Sequence, residues 1–355
     1  MKISRLLALE NFLMTTSVVL LSIFLNRGIN LKPSSLGVFY QEVADSYPQI
    51  INNPVSHRPL LPFLSFLTRF DVQILNIVLL YIFTYLVYSV LRQKYSRFTS
   101  SLLLIAIGTS MVFRFTIIYG AYPDILTLLF LVTAILNIDK NKLFYSLLLL
   151  SLFTRESAIF TFPFFYLLKT QNEKIFNIKL DEISRFIFII FVYFSFYFLL
   201  YINGYQDSYL GWDFYTSHIY ESDYLRKYSN FQNYLVLGVF STIKFNFFIF
   251  IYLFIKNKNY KFPVFILFLF SLTQMFLAGD VTRNMIFVFL AYFLLLYKTN
   301  TSINPIFISL IIFLNMIVPK YYIFEGGMVT PNSTSLEVFN LVLFFRKLIE
   351  FIALF

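Results

Sequence analysis

Apolar runs separated by short polar connectors follow one another along the chain, near residues 6–25, 71–91, 98–118, 122–138, 185–203, 233–255, 262–278, 284–297, 303–318 and 336–355. Most approach the ~20 residues a helix needs to cross a bilayer, so each predicts a membrane-spanning helix. Two shorter runs, Leu143 to Phe153 and Ser157 to Leu168, are too brief to span singly and fit a re-entrant or tilted pair around Arg155 and Glu156. The pattern predicts an all-α, polytopic membrane helix bundle of about eleven or twelve hydrophobic helices. It forms a single transmembrane domain over residues 1–355. Lys2 and Arg5 precede a first run that is long and lacks a small-residue cleavage site, so it is read as a retained span.

One connector has a pattern of its own. Within residues 26–62, Leu36, Phe39, Tyr40, Val43 and Tyr47 share one helical face, while Gln41, Glu42, Asp45 and Gln49 share the other. That spacing predicts a short amphipathic helix lying in the membrane interface, with two carboxylates directed at water or substrate. Pro48 and Pro54 then lead to Ser56-His57-Arg58-Pro59-Leu60-Leu61-Pro62, where the chain re-enters the membrane.

Composition agrees with a membrane setting: 59% hydrophobic, 21% aromatic and 13% charged residues lie far from the values of a soluble domain. With 48 Phe and 26 Tyr against 1 Trp, the rings exceed what interfacial belts need, so many face lipid or fill the bundle. The absence of Cys excludes disulfides, thiolate metal sites and a thiol nucleophile, and two His residues leave little for a zinc cluster. The net charge of +10 sits mainly in short connectors, where the positive-inside rule accounts for it without nucleic acid.

With the N-terminus cytoplasmic, Lys2, Arg5, Arg92, Lys94, Arg97, Lys140, Lys142, Lys169, Lys174, Lys179, Arg185, Lys256, Lys258, Lys261 and Lys298 fall inside. Glu42, Asp45, Asp71, Asp124, Glu156, Asp207, Asp213, Glu221, Asp223, Asp280, Glu325 and Glu337 fall outside. Acidic residues contribute little to orientation, so their gathering on one face asks for another cause, and a polar outer chamber is the simplest. Residues 26–62 are then the first outer loop, and residues 204–233 a second one, rich in Tyr and acid.

Several constellations on that face carry chemistry. Glu42 or Asp45 suits a general base, with His57 and Arg58 holding a phosphate. A solvated loop helix with a basic anchor explains the same residues. Pro123 puts Asp124 in the first turn of a helix, where capping alone accounts for it. Arg155 beside Glu156 is costly near a membrane unless the two pair or line a polar cavity. Asp280 and Arg283, three residues apart, form either a local surface pair or a grip on a diphosphate. Trp212 and Asp213 lie in the second loop among Tyr209, Phe214 and Tyr215, a mixture that suits sugars and equally an aromatic belt. Arg114, Lys244, Arg346, Lys347 and Glu350 lie within apolar runs and snorkel or pair inside the bundle.

Taken in order, Tyr40 with its carboxylate helix, His57-Arg58-Pro59-Leu60-Leu61-Pro62, Ala121-Tyr122-Pro123-Asp124, Thr154-Arg155-Glu156 and Asp280-Val281-Thr282-Arg283 resemble the GT-C class of integral membrane glycosyltransferases. Each motif is short, and together they run through about the first 290 residues. The resemblance implies transfer of a sugar from a polyprenyl-phosphate donor to a glycan or lipid acceptor on the non-cytoplasmic face, with a bacterial inner membrane as the expected setting. It implies Asp45 or Glu42 as the catalytic acidic residue and His57, Arg58, Arg155 and Arg283 as donor-phosphate contacts. Tyr40, Asp124, Glu156 and Asp280 support them, and Trp212 and Asp213 are sugar-contact candidates. The chain departs from the family where Ser35, Leu36 and Gly37 stand, since members often place an Asp there. Either Glu42 or Asp45 takes that part from the next turn, or the activity is altered or lost. No soluble acceptor-binding domain is expected in the C-terminal region, which favours a small acceptor over a folded protein. The acidic face has oxygen donors for a divalent cation, Mg2+ or Mn2+, although nothing in the sequence demonstrates one. Two other classes stay open: a polysaccharide polymerase or ligase, and a transporter or flippase.

Overall fold

The computed structural model describes residues 2–25, 31–33, 36–49, 51–53, 55–118, 121–170, 179–204, 242–277, 285–299, 301–317, 321–323 and 329–331. Among them the chain is helical except for one antiparallel ladder, β1 (Tyr321–Ile323) with β2 (Val329–Pro331). The helices are α1 (Lys2–Leu25), α2 (Leu36–Ser46), α3 (Leu60–Thr68), α4 (Val72–Lys94), α5 (Arg97–Gly108), α6 (Met111–Ile118) and α7 (Asp124–Leu136). There follow α8 (Asn141–Thr154), α9 (Phe162–Thr170), α10 (Leu180–Ile202), α11 (Asn246–Lys256), α12 (Lys261–Leu277), α13 (Val288–Lys298) and α14 (Pro305–Ile317). Short 3-10 turns at Glu156–Thr161 and Met285–Phe287 lead into α9 and α13. Three helices, α1 from Leu7 onward, α4 and α10, are long and apolar enough to cross a membrane, while the other apolar helices are shorter.

The apolar run expected as one helix over residues 98–118 breaks into α5 and α6. Gly108, Thr109 and Ser110 are poor helix interiors, and the Thr109 hydroxyl donates to the Ala106 carbonyl while the Ser110 N–H turns back to the Ile107 carbonyl. Of the run at 233–255, residues 242–255 are described, with α11 beginning at Asn246; the C-terminal run at 336–355 and the aromatic loop beyond Gly204 lie outside the described residues.

The centre of the protein is α4 and α13. Every residue from Val288 to Leu296 is buried, as befits a helix apolar on all sides with others packed around it. On α10, by contrast, Ile187, Phe188, Phe191, Phe194 and Phe198 are exposed, an apolar face turned outward. The short connector between α7 and α8 makes them an antiparallel hairpin that packs on α4 and α10.

Basic helix ends gather pairwise. Lys94 of α4 lies 5.7 Å from the ring of Tyr297 on α13, Tyr95 donates to the Leu296 carbonyl at 3.0 Å, and Asn257 after α11 donates to Thr299 at 3.0 Å. Lys169 of α9 donates to the Ile138 carbonyl in the α7–α8 connector. Glu10 of α1 joins this end by pairing with Arg92 at 2.8 Å, with Arg97 at 3.6 Å. At the opposite end Asn76, near the start of α4, donates to the Tyr122 carbonyl and holds the start of α7 beside it. Asp71, Asp124 and Glu156 belong to that carboxylate end.

Arg114 and Lys244, expected to snorkel or pair, are both turned fully into the protein. Lys244 donates to the Asn315 carbonyl, and the Asn315 and Asn246 amides both reach the Ala106 carbonyl where α5 ends.

α1 and α5 cross in close contact. Ser22 donates to the Gly108 carbonyl at 2.9 Å, and a Cβ at Gly108 meets Val18 Cγ1 at 2.6 Å. Val18 is β-branched and stiff, so it has little room to yield. Gly108→Ala is expected to cost about 1–3 kcal/mol and to lower the unfolding temperature in detergent, with Val18→Ala in the same chain recovering most of the loss. An unchanged unfolding temperature for Gly108→Ala would refute this crossing.

Candidate functional site

The first-loop helix forms where its pattern predicts it. Tyr40, Val43 and Ala44 are buried and Glu42 and Asp45 exposed. The apolar face, expected to rest on lipid headgroups, is taken up by the protein instead: α2 packs on α3 and α4, and Tyr47 lies 5.7 Å from the ring of Phe66. The segment that follows Pro59 supplies α3 as a partner.

Side-chain amides hold both carboxylates. Asn53 donates to Glu42 at 2.9 Å, while its own Oδ1 accepts the Val55 N–H at 3.1 Å. Gln41 donates to Asp45 at 2.8 Å, while its Oε1 accepts the Val72 N–H at 2.8 Å. The sequence places Gln41 on the polar face of the helix without a role of its own, and it does not single out Asn53. Gln41 stands one turn before Asp45, a spacing at which side chains meet on a helix, and Asn before Pro54 marks a turn; both signals are common enough to pass unnoticed.

Asn53 closes the turn that presents His57 and Arg58. Arg58 is bidentate on Glu156, Nε at 2.6 Å and Nη2 at 2.5 Å, and its Nη1 donates to the buried Tyr40 hydroxyl at 3.0 Å. His57 Nε2 lies 3.5 Å from the same carboxylate, and its ring meets Tyr197 edge-on. Burial alone would raise the Glu156 carboxyl, but Arg58 and His57 hold it well below the ordinary carboxylate range.

Arg155 and Glu156 were expected to pair with each other or to share one cavity. They serve separate ion pairs. Arg155 leaves α8 in an extended conformation, φ −158 and ψ 115, and successive side chains of an extended chain point to opposite sides. Glu156 therefore reaches Arg58, and Arg155 reaches Asp124 at the start of α7. The α7–α8 hairpin brings these last two together, because the first residue of one helix and the residue after the other lie at the same end. Asp124 thus does more than sit favourably at a helix dipole. Gln73 and Asn76 of α4 fix its approach by bonding Ala121, which has a left-handed φ of 72, and Tyr122. The Arg155 guanidinium also lies 5.5 Å from the Phe287 ring.

Tyr40, His57, Arg58 and Glu156 are thus gathered into one network, joined through adjacent residues to Asp124–Arg155 and through Asn53 to Glu42. Asp45 stands on the same helix as Tyr40. The expected site members Trp212, Asp213, Asp280 and Arg283 lie outside the described residues. Among the described residues no three His, Cys, Asp or Glu side chains form a metal-binding group. Compared with protein families, curated proteins and solved structures, the chain matches none. The functional reading therefore rests on the chemistry of these residues.

Removing one member of a largely buried ion pair leaves the other charge uncompensated. With Glu156 side chain 25% exposed, Glu156→Gln is expected to cost about 2–3 kcal/mol, and the apolar double variant Arg58→Met/Glu156→Leu clearly less, measured by unfolding in detergent. A carboxyl depressed in the folded state stabilises above its unfolded value. This contribution is therefore present above pH 4.5 and lost as pH falls below it toward the folded value. Equal costs for the single and double variants, or an acid transition unchanged in Glu156→Gln, would refute the assignment.

Proposed function

We propose that the protein is a polytopic membrane glycosyltransferase, moving a sugar from a polyprenyl-phosphate donor to a glycan or lipid acceptor. About eleven or twelve helices cross or enter the bilayer, with the basic helix ends cytoplasmic and the carboxylate end outside. A bacterial inner membrane is the setting this reading implies. The observation that carries it is the exposed carboxylate pair on α2 beside the Tyr40–Arg58–Glu156–His57 network, at the end of a bundle of apolar helices.

In an inverting transfer the acceptor hydroxyl gives its proton to Asp45 or Glu42 as its oxygen bonds to the anomeric carbon. The bond from that carbon to the phosphate oxygen breaks, and its electron pair leaves with the lipid phosphate. Donors around the departing oxygen stabilise the new charge. Arg58 has five N–H groups, three of them engaged by Glu156 and Tyr40, and two remain among the described residues to meet a phosphate. His57 lies beside them. Arg155 completes the proposed contacts among the described residues, while Arg283, Asp280, Trp212 and Asp213 keep only the roles that the resemblance implies. A lipid-linked donor needs no nucleotide-binding loop.

One observation favours a second reading. Arg114 and Lys244 lie buried between helices, the placement expected where an anionic lipid-linked sugar crosses the membrane.

Purified protein in lipid, given radiolabelled polyprenyl-phosphate sugars, is expected to transfer sugar. Asp45→Asn or Glu42→Gln should lower turnover by about 10²–10⁴-fold while the fold persists. Movement of labelled lipid across vesicles without transfer would replace this reading with the second.

A further inference from the structure

Resting on that reading, we infer that Gln41 is a positioning residue that singles out Asp45, and not Glu42, as the carboxylate taking the acceptor proton. The orientation of the Gln41 amide is fixed by chemistry. The Val72 N–H is among the first N–H groups of α4 and has no partner within its own helix, so it demands an acceptor, and Gln41 Oε1 supplies it. The amide nitrogen is then committed to Asp45 Oδ1. This ties Asp45 through one side chain to α4, the long central helix, and leaves Oδ2 as the oxygen directed to a substrate hydroxyl.

Glu42 is held differently. Its amide partner, Asn53, is anchored in the turn that carries His57 and Arg58, so Glu42 braces that turn. Asp has a shorter side chain than Glu and fewer rotamers to restrict, and a rigid helix is a more exact support than a loop. Proton transfer needs a base fixed within hydrogen-bond reach of the attacking hydroxyl, and the Gln41 clasp meets that need at Asp45. In the step itself the hydroxyl proton passes to Asp45 Oδ2, the glycosidic bond forms, and the lipid phosphate departs with the electron pair of the broken bond.

Two variants separate positioning from folding. Gln41→Glu keeps an acceptor for the Val72 N–H and removes the donor to Asp45, whereas Gln41→Met removes both. In the reconstituted transfer assay with radiolabelled polyprenyl-phosphate sugar, each is expected to lower kcat by about 10- to 100-fold with the donor KM within about twofold of wild type. Neither should lower the residual rate of Asp45→Asn any further, because a positioning residue acts only through the group it positions. Wild-type kcat in Gln41→Glu, or a loss that persists undiminished in the Asp45→Asn background, overturns the inference and leaves the transferase reading on Asp45 or Glu42, and full activity of Asp45→Asn overturns it and leaves that reading on Glu42. A wild-type protein with no turnover on any such donor overturns that reading, and this inference with it.

Discussion

A charge among apolar helices needs a polar partner, and the site is organised around one backbone geometry that lets two adjacent charged residues each find an opposite charge. Because Arg155 is extended where α8 ends, its side chain and that of Glu156 diverge. One closes the α7–α8 hairpin onto Asp124, and the other reaches back nearly a hundred residues to Arg58. A helical continuation would turn the two side chains only about 100° apart. Desolvating a lone ion costs several kcal/mol even after relaxation, more than most single packing contacts return. The hairpin, the first-loop turn and α2 therefore hold their mutual positions because these charges require it.

Amides do the finer placement. Gln41 and Asn53 each satisfy a backbone N–H with oxygen and a carboxylate with nitrogen, and Gln73 bonds the Thr116 carbonyl and the Ala121 N–H in the same two-ended way. An amide is suited to this part since it carries both a donor and an acceptor and no charge that needs its own counterion. The carboxylate end is thus built with two kinds of link: ion pairs that fix which elements meet, and amides that fix which way a carboxylate faces.

Much of the helical plan was legible in the sequence. Hydrophobic runs gave α4, α7, α12, α13 and α14 closely, and the facing of Tyr40 and Val43 against Glu42 and Asp45 followed from helical spacing. The break inside residues 98–118 was not, since the apolar run continues through it and only Gly108, Thr109 and Ser110 mark the turn. Within the site, spacing identified Arg58, Asp124, Arg155 and Glu156 as charges requiring an explanation. It did not identify the partners, because pairings across 31 and 98 residues depend on where the elements pack and leave no local periodic trace. The buried face of α2 was mistaken for a lipid-facing one for the same reason: amphipathicity states that a face is covered, and says nothing of what covers it.

The pairing also alters what the basic residues can offer a phosphate. Arg58 is compensated by Glu156 and Arg155 by Asp124, so the described network carries little net positive charge apart from any on His57. A free Arg cluster attracts anions through its field, which salt screens. A compensated Arg holds a ligand through the direction of its remaining N–H groups, and that direction is already set by the carboxylate and phenol it grips. Such a site gains less from long-range attraction and more from geometry. On the function proposed above, that arrangement would suit a lipid-linked phosphate, whose tail sets its depth and leaves orientation for the protein to supply.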